Sequence, residues 1–596
     1  MSTAILTGPP APGSSLDGDL RSLGFDVRAA SGADEAAALL ATVPAGERVA
    51  LVDARFVGHR HALRLALTDP RFPAAAAPGA LTAQPGARPA LTRALGTATA
   101  HGSDDLTGTL ADALDADGVA VHRPQLGTLV AAVPTDAEAR HRARTAVDAV
   151  DEEAVRLRSA VKAHDGFFTT FFISPYSRHI ARWCARRGLT PNQVTTASLL
   201  TALVAAGCAA TGDRAGYVAA GVLLLVSFVL DCADGQLARY ALKYSTMGAW
   251  LDATFDRAKE YAFYAGLALG AARNGDDVWA LALGAMVLMT CRHVVDFSFN
   301  EANHDATANT SPTAALSDRL DGLGWTVWAR RMIILPIGER WAMIAVLTAV
   351  TSPRIVFWAL IVGCAFGACY TTAGRVLRSL TRKAKRTDRA AQALADLADS
   401  GPLAGIAGRA LRRTGILVLP PLVLALIATG ALLAAVLAGP FGATQTVVAA
   451  VFYVVFAGAA VARPLKGALD WLLPPLFRAA EYTTVLVLAA RSDSPGALPA
   501  AFGLVAAVAY HHYDTVYRIR GGTGAPPAWL VRVTGGHEGR TLLVTVLAAL
   551  LADRGDDFTL ALTALAVAVA LVVLVESIRF WVSSGAPAVH DEGETA

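Results

Sequence analysis

Between residues 194 and 575 the chain is a succession of apolar runs joined by short polar links. A water-soluble domain cannot bury that much apolar sequence, whereas a bilayer takes it in pieces of about 20 residues. Six runs fall at 194–211, 215–240, 248–272, 278–297, 338–351 and 355–372. Six more fall at 416–438, 446–461, 479–490, 498–510, 541–552 and 558–575. Composition agrees: 54% of residues are apolar and 17% charged, against about 25% charged in soluble proteins. The formal charge of +3 is too small to draw the chain to nucleic acid. The six cysteines form no C-x-x-C or Cys/His cluster, so zinc is not expected and buried free thiols are. The first residues lack a basic stretch followed by a long apolar run, so no signal peptide is expected.

Loop charge sets the orientation. Arg239 with Lys243, Arg330 with Arg331, and the run Arg382, Lys383, Lys385, Arg386 and Arg389 alternate with the links at Asp213-Arg214 and Asp276-Asp277. Basic loops stay inside. The expectation is an integral protein of the cell membrane with both termini and the basic side in the cytoplasm.

Residues 1–134 read as a soluble α/β domain. Strand-like runs occur at 4–8, 25–28, 49–53, 118–121 and 129–133, and the Pro- and Ala-rich stretch 69–93 reads as a loop. Residues 135–190 form a connector: Thr135-x-x-Glu138 opens a charged helix through about residue 163, and 175–188 is a basic, aromatic helix suited to lie on a membrane surface. A membrane core at 191–378, a basic linker at 379–413 and a second membrane domain at 414–596 complete the chain. The second domain echoes the first. Arg257-Ala258-Lys259-Glu260-Tyr261 returns as Arg478-Ala479-Ala480-Glu481-Tyr482, Arg292-His293-Val294-Val295-Asp296 loosely as His511-His512-Tyr513-Asp514, and Glu339-Arg340 as Glu538-Gly539-Arg540. Three echoes in order point to an internal repeat. His511 and His512 read as hydrogen-bonded interfacial histidines.

Chemistry concentrates between the second and third runs. Asp231 and Asp234 lie three residues apart, Asp252 and Asp256 four apart, so each pair shares a helix face. Carboxylates at membrane depth cost a few kcal/mol each, and a chain does not place four there for packing. If the two helices pack face to face, all four converge, and hard divalent cations are the natural counter-charge. Two such ions can clamp a pyrophosphate. Gly235 lets phosphate approach the backbone, Gly248 permits close helix packing, and Arg239 suits a phosphate oxygen. Asp256 is the candidate base for a hydroxyl proton.

The string D-x2-D-G-x2-A-R-x8-G-x3-D-x3-D, matched from Asp231 to Asp256, resembles the signature of the CDP-alcohol phosphotransferase family. The likeness covers about residues 165–378 and includes Leu189-Thr190-Pro191-Asn192. It implies a six-span polytopic α-helical core with a cytoplasm-facing cavity, two Mg2+ or Mn2+ ions, and a CDP-linked donor. The donor's phosphoalcohol passes to an acceptor hydroxyl, releasing CMP. It implies metal ligands at Asp231, Asp234, Asp252 and Asp256, with donor contacts at Asn192, Asp231, Gly235, Ala238, Arg239, Gly248 and Asp252. A homodimer is a further implication. The acceptor is a phosphorylated polar alcohol, inositol-phosphate-like, or a lipid as in phospholipid synthases using CDP-diacylglycerol. Arg257, Lys259, Arg292 and Arg340 are its candidate ligands, with pairing to the acid cluster the competing explanation for Arg292.

The α/β domain fused ahead of this core resembles the fused cytidylyltransferase and di-myo-inositol-phosphate-phosphate synthase architecture. It departs from it where a glycine-rich phosphate loop is needed. Thr7-Gly8-Pro9-Pro10-Ala11-Pro12-Gly13 has three prolines removing amide donors and no basic residue until Arg21, so a catalytically degenerate nucleotidyltransferase-like domain is expected. Asp53 reads as an exposed strand-end aspartate. The second membrane half lacks D-x2-D-G before Arg478, so a structural or regulatory role is expected there. A twelve-span transporter and a silenced scaffold are the competing readings from other classes.

Overall fold

The computed structural model describes residues 2–9, 14–98, 105–162, 165–304, 334–381, 385–414 and 419–583. The prolines at 10 and 12, the basic pairs Arg330-Arg331 and Arg382-Lys383, and the first residues of the run at 416 lie outside these.

Short, nearly continuously buried runs pair the first strands into a parallel sheet. Strands β1 (Ser2–Thr7), β2 (Phe25–Ala30) and β3 (Val49–Asp53) run parallel, with α1 (Leu16–Ser22) and α2 (Ala33–Thr42) as crossovers. After the short β4 (Val57–Gly58) and α3 (Arg60–Leu67), the stretch expected to be a loop instead forms a hairpin, β5 (Ala74–Ala77) and β6 (Ala80–Ala83). It turns at Gly79, whose φ is +77°. Helix α4 (Arg88–Ala98) follows. The alanines are weak strand formers, but their small side chains are buried in the sheet, and packing overrides propensity. With β7 (Val121–His122) the sheet order is β2-β1-β3-β6-β5-β7, and α5 (Leu106–Ala116) packs on it. The later strands expected at 118–121 and 129–133 shrink to β7 and β8 (Ala131–Ala132), the latter paired with β4.

The connector is two helices rather than one. Asp136, not Thr135, caps α6 (Ala137–Asp148), and Asp151 starts α7 (Glu152–Ser159), because each aspartate accepts an amide three residues on. Helix α8 (Ser174–Arg186) is the expected surface helix, with Tyr176 and Trp183 exposed.

The remainder is helical. In the first half come α9 (Pro191–Ala210), α10 (Arg214–Ala241), α11 (Thr246–Arg273), α12 (Trp279–Asn303), α13 (Ile337–Val350) and α14 (Pro353–Thr381). A link helix α15 (Asp388–Ala398) leads to the second half: α16 (Pro402–Thr414), α17 (Pro421–Ala438), α18 (Thr444–Ala460), α19 (Leu473–Arg491) and α20 (Ala497–Arg520). The short α21 (Ala528–Thr534), then α22 (Gly536–Leu550) and α23 (Asp557–Ser583), close the chain. Among the described residues seven helices are long and apolar enough to cross a membrane. The protein is a polytopic α-helical membrane protein carrying an N-terminal α/β region.

Packing repeats along the chain. Helix α9 packs on both α10 and α11, α8 on α10, α10 on α13 and α12 on α14. In the same way α17 packs on α18 and α19, α16 on α18, α18 on α22 and α20 on α23. The halves meet where α12 packs on α19 and α20, and α11 on α20. The cysteines are unpaired as expected, but Cys369 is exposed rather than buried.

Candidate active site

The register of the acids is fixed by a tight link. Helix α10 ends at Leu242, which adopts φ +51°, and α11 starts from Ser245, whose Oγ accepts the Gly248 amide at 2.9 Å. The four residues between the helices reverse the chain, so Asp231 and Asp234 in the latter half of α10 come level with Asp252 and Asp256 in the first half of α11.

Carboxylate oxygens of Asp231, Asp252 and Asp256 all lie within 4.8 Å of one another. Asp252 is exposed and the other two half-buried, which gives the cluster one open side. Asp234 is 3% exposed, and its Oδ2 has no hydrogen-bond partner among the described residues. A buried carboxylate oxygen without a donor is costly unless a cation reaches it. The site is built of hard oxygen ligands, and that donor set fits Mg2+ or Mn2+.

Helices α10 and α11 do not pack face to face as expected. Each packs on α9 instead, and Gly248 lies against α9: a Cβ there would come 2.8 Å from Asn192 Oδ1. Farther along α11, a Cβ at Gly266 or Gly270 would meet the carbonyl oxygens of Ala206 and Ala209 at 2.3 and 2.1 Å. Small residues therefore bring α9 against α11 while leaving room between α10 and α11 for the acids.

Lys259 is the residue sequence reasoning placed wrongly. Its ammonium, 1% exposed, contacts Asp231, sits 2.9 Å from Asp256 Oδ1 and donates to Ser198 Oγ at 3.2 Å. It belongs to the acid cluster, three residues after Asp256 on the same helix face. That spacing was the available signal. The other basic candidates stand apart from the acids. Arg257 and Arg340 both pair with Glu260, at 2.8 and 3.4 Å. Arg292 donates to the Ile334 carbonyl rather than pairing with the acids, as one explanation had it. Its Nη1 is buried without a partner among the described residues.

Among the residues expected to contact the donor, Gly235 leaves the space beside the Arg239 guanidinium, whose nitrogens would lie 3.5 and 3.6 Å from a Cβ there. Arg239 Nε donates to the Ala160 carbonyl at 2.6 Å, so the connector after α7 holds this arginine. Ala238 is half-buried beside it.

Among the described residues the second half has the same framework without the acid cluster. Arg478 pairs with Glu481 at 2.8 Å as Arg257 does with Glu260, and Arg540 pairs with Glu481 as Arg340 does with Glu260. Glu538 accepts the amides of Gly401 and Ala404, as Glu339 accepts that of Phe168. Counting back from Arg478 as from Arg257 puts Leu473 and Phe477, both fully buried, where Asp252 and Asp256 stand. His511 and His512 are buried rather than interfacial. His511 Nε2 lies 3.3 Å from Asp399, and neither ring nitrogen of His512 has a partner among the described residues. In the N-terminal sheet Asp53 is buried rather than exposed, held by Arg55 at 2.8 Å.

Comparison with known proteins follows the same division. Residues 188–369 match the CDP-alcohol phosphatidyltransferase family, and residues 388–596 match a family of unknown function (DUF5941). An archaetidylinositol phosphate synthase of Pyrococcus horikoshii is 33% identical over 113 residues, 19% of this chain and 58% of the relative. A bifunctional IPC transferase and DIPP synthase of Aquifex aeolicus is 32% identical over 114 residues, 19% of this chain and 26% of the relative. A phosphatidylinositol phosphate synthase of Streptomyces avermitilis is 32% identical over 130 residues, 21% of this chain and 51% of the relative. The chain thus spans between a quarter and somewhat over half the length of these relatives.

Proposed function

We propose that this chain, a member of the CDP-alcohol phosphatidyltransferase family through residues 188–369, transfers a phosphoalcohol from a CDP-linked donor to an acceptor hydroxyl and releases CMP. The observation that carries the reading is the meeting of Asp231, Asp252 and Asp256 within 4.8 Å beside the buried, unpartnered Oδ2 of Asp234. The four aspartates would hold divalent ions, which when bound would supply positive charge to the pyrophosphate and its leaving oxygen. Asn192, Gly235, Ala238, Arg239 and Gly248 flank the cluster and bind the donor, with the Arg239 guanidinium on a phosphate oxygen. Asp256 accepts the acceptor's hydroxyl proton as that oxygen bonds to phosphorus and the bond to CMP breaks. Lys259 holds Asp231 and Asp256 in register and limits their mutual repulsion.

The acceptor is an inositol phosphate. Two of the relatives carry that product class in their names, and an anionic acceptor suits Arg292, whose Nη1 is uncommitted among the described residues. The cluster opens to the cytoplasm, by the loop charges given above. The N-terminal α/β region is a nucleotidyltransferase-like domain without activity, and 414–596 is a repeat of the core without metal ligands. A homodimer uses a face other than that of α11 and α12, which the second half covers.

The test is to incubate the purified full chain with CDP-diacylglycerol or polar CDP-alcohols, inositol phosphate and Mg2+, and to identify products by mass spectrometry. Stoichiometric CMP and a new phosphodiester support the proposal. Passage of substrate across a vesicle membrane without CMP release would favour the transporter instead. Arg292→Ala should raise the acceptor KM more than the donor KM.

A further inference from the structure

A second charged feature lies outside the acid cluster. Helix α3 of the N-terminal region, α7, α8 and the end of α10 enclose a recess of about 390 Å3. Its wall carries Arg60, Arg64, Arg156, Arg186 and Lys243, against the single carboxylate of Glu153. That carboxylate is already engaged: Arg182 lies 2.9 Å from it and the Tyr240 hydroxyl donates to it at 2.8 Å. Among the described residues none of the five cations pairs with a carboxylate.

Of the two inner cations Arg156 is held in place, and the nearby Glu152 and Glu153 offset their charge without pairing with them. Arg156 Nε donates to the Tyr240 carbonyl at 2.9 Å, and its guanidinium carbon lies 3.5 Å from the centre of the Tyr240 ring. Arg64 is half-buried beside it. Burial and the Arg64 charge pull Arg156 down to about 10, and burial with the Arg60 charge lowers Arg64. Like charges brought together by four separate elements raise the free energy of the fold, unless an anion joins them. Guanidinium forks match phosphate oxygens, and the volume is that of a small-ligand site.

We propose that this recess binds a multiply charged phosphate group, borne either by a small soluble phosphate ester or by a phosphomonoester lipid headgroup. It is separate from the transfer site and shares no lining residue with the four aspartates. The location makes both sources accessible: Arg186 and the exposed Trp183 sit on the surface helix α8, while α3 belongs to the N-terminal α/β region. Occupancy ties α3, α7, α8 and α10 together. Because the segment after α7 holds Arg239 through the Ala160 carbonyl, the ligand stabilises the arginine's position from behind.

The test uses the full chain in nanodiscs of neutral lipid, with chelator present so that the aspartate cluster recruits no metal-bound phosphate. Inorganic pyrophosphate is titrated calorimetrically at low and moderate salt. In a second arm, phosphatidic acid replaces part of the lipid and the thermal transition is recorded. Arg64→Gln with Arg156→Gln, and separately the exposed pair Arg60→Gln with Lys243→Gln, are compared with the parent. We expect saturable binding to one site in at least one arm, weakened at least about tenfold in both variants. Pyrophosphate binding alone assigns the soluble source, and phosphatidic-acid stabilisation alone assigns the headgroup. Absence of both responses in the parent, or equal responses in folded variants, overturns the proposal.

Discussion

Lys259 and Asp256 divide the work of one helix face. In the proposed reaction the carboxylate takes up a proton, and the ammonium, three residues on and 2.9 Å away, fixes where that carboxylate points. Asp256→Asn should lower kcat by roughly 100-fold or more, the usual worth of a positioned base, with little change in donor KM. Lys259→Met should behave differently. Loss of positioning costs roughly 10- to 100-fold in kcat, yet the metal concentration for half-maximal rate should not rise, since a competing cation has been removed. A rise in that concentration would count against the positioning role. The acids were legible because carboxylates at membrane depth have few explanations. The basic residues were not, because any of four could reach a phosphate and only tertiary packing shows that Arg257 and Arg340 are spent on Glu260.

Among the elements, α9 sets the spacing of the site. Gly270 meets the Ala209 carbonyl where a Cβ would stand 2.1 Å from it, so Gly270→Val should destabilise the chain by about 1–3 kcal/mol, as overpacking does, seen as a lower Tm. An unchanged Tm would mean that α9 and α11 separate freely. In the N-terminal region the buried His61 responds to pH. Burial, with Arg156 and Arg64 nearby, lowers it from 6.5 to about 3. Its contribution to stability is therefore complete above pH 6.5 and is lost as pH falls toward 3, at up to about 1.4 kcal/mol per unit. Melting from pH 7 to 4 should show this slope, and His61→Phe should flatten it. The helical runs were readable from apolar length, and the early parallel strands from short apolar runs that alternate with helical stretches. The Ala74–Ala77 hairpin and the break at Asp151 were not, since alanine carries little strand signal and an aspartate reads as well inside a charged helix as at its cap.

Across the molecule the two halves share a frame of buried ion pairs, while among the described residues only the first holds an acid cluster. Arg478, fully buried between Asp399 and Glu481, is structural in this account. Removing it as Arg478→Met should cost about 3–5 kcal/mol, as for any buried pair left half-made, and should leave the metal dependence of the surviving folded protein unchanged. A changed metal requirement would tie the second half to catalysis directly. The likeness of the halves was visible in three short echoes; only packing shows that Leu473 and Phe477, at the places corresponding to Asp252 and Asp256, are fully buried.

If the four aspartates form a metal-dependent transfer centre, the purified full chain should release CMP, and that release is the measurement to make. CMP should form one-for-one with a phosphodiester, in a reaction dependent on Mg2+ or Mn2+, stopped by chelation and nearly abolished in a folded Asp256→Asn variant. CMP release that persists at the parental rate in that variant, or without divalent ions, would contradict that role for the aspartates.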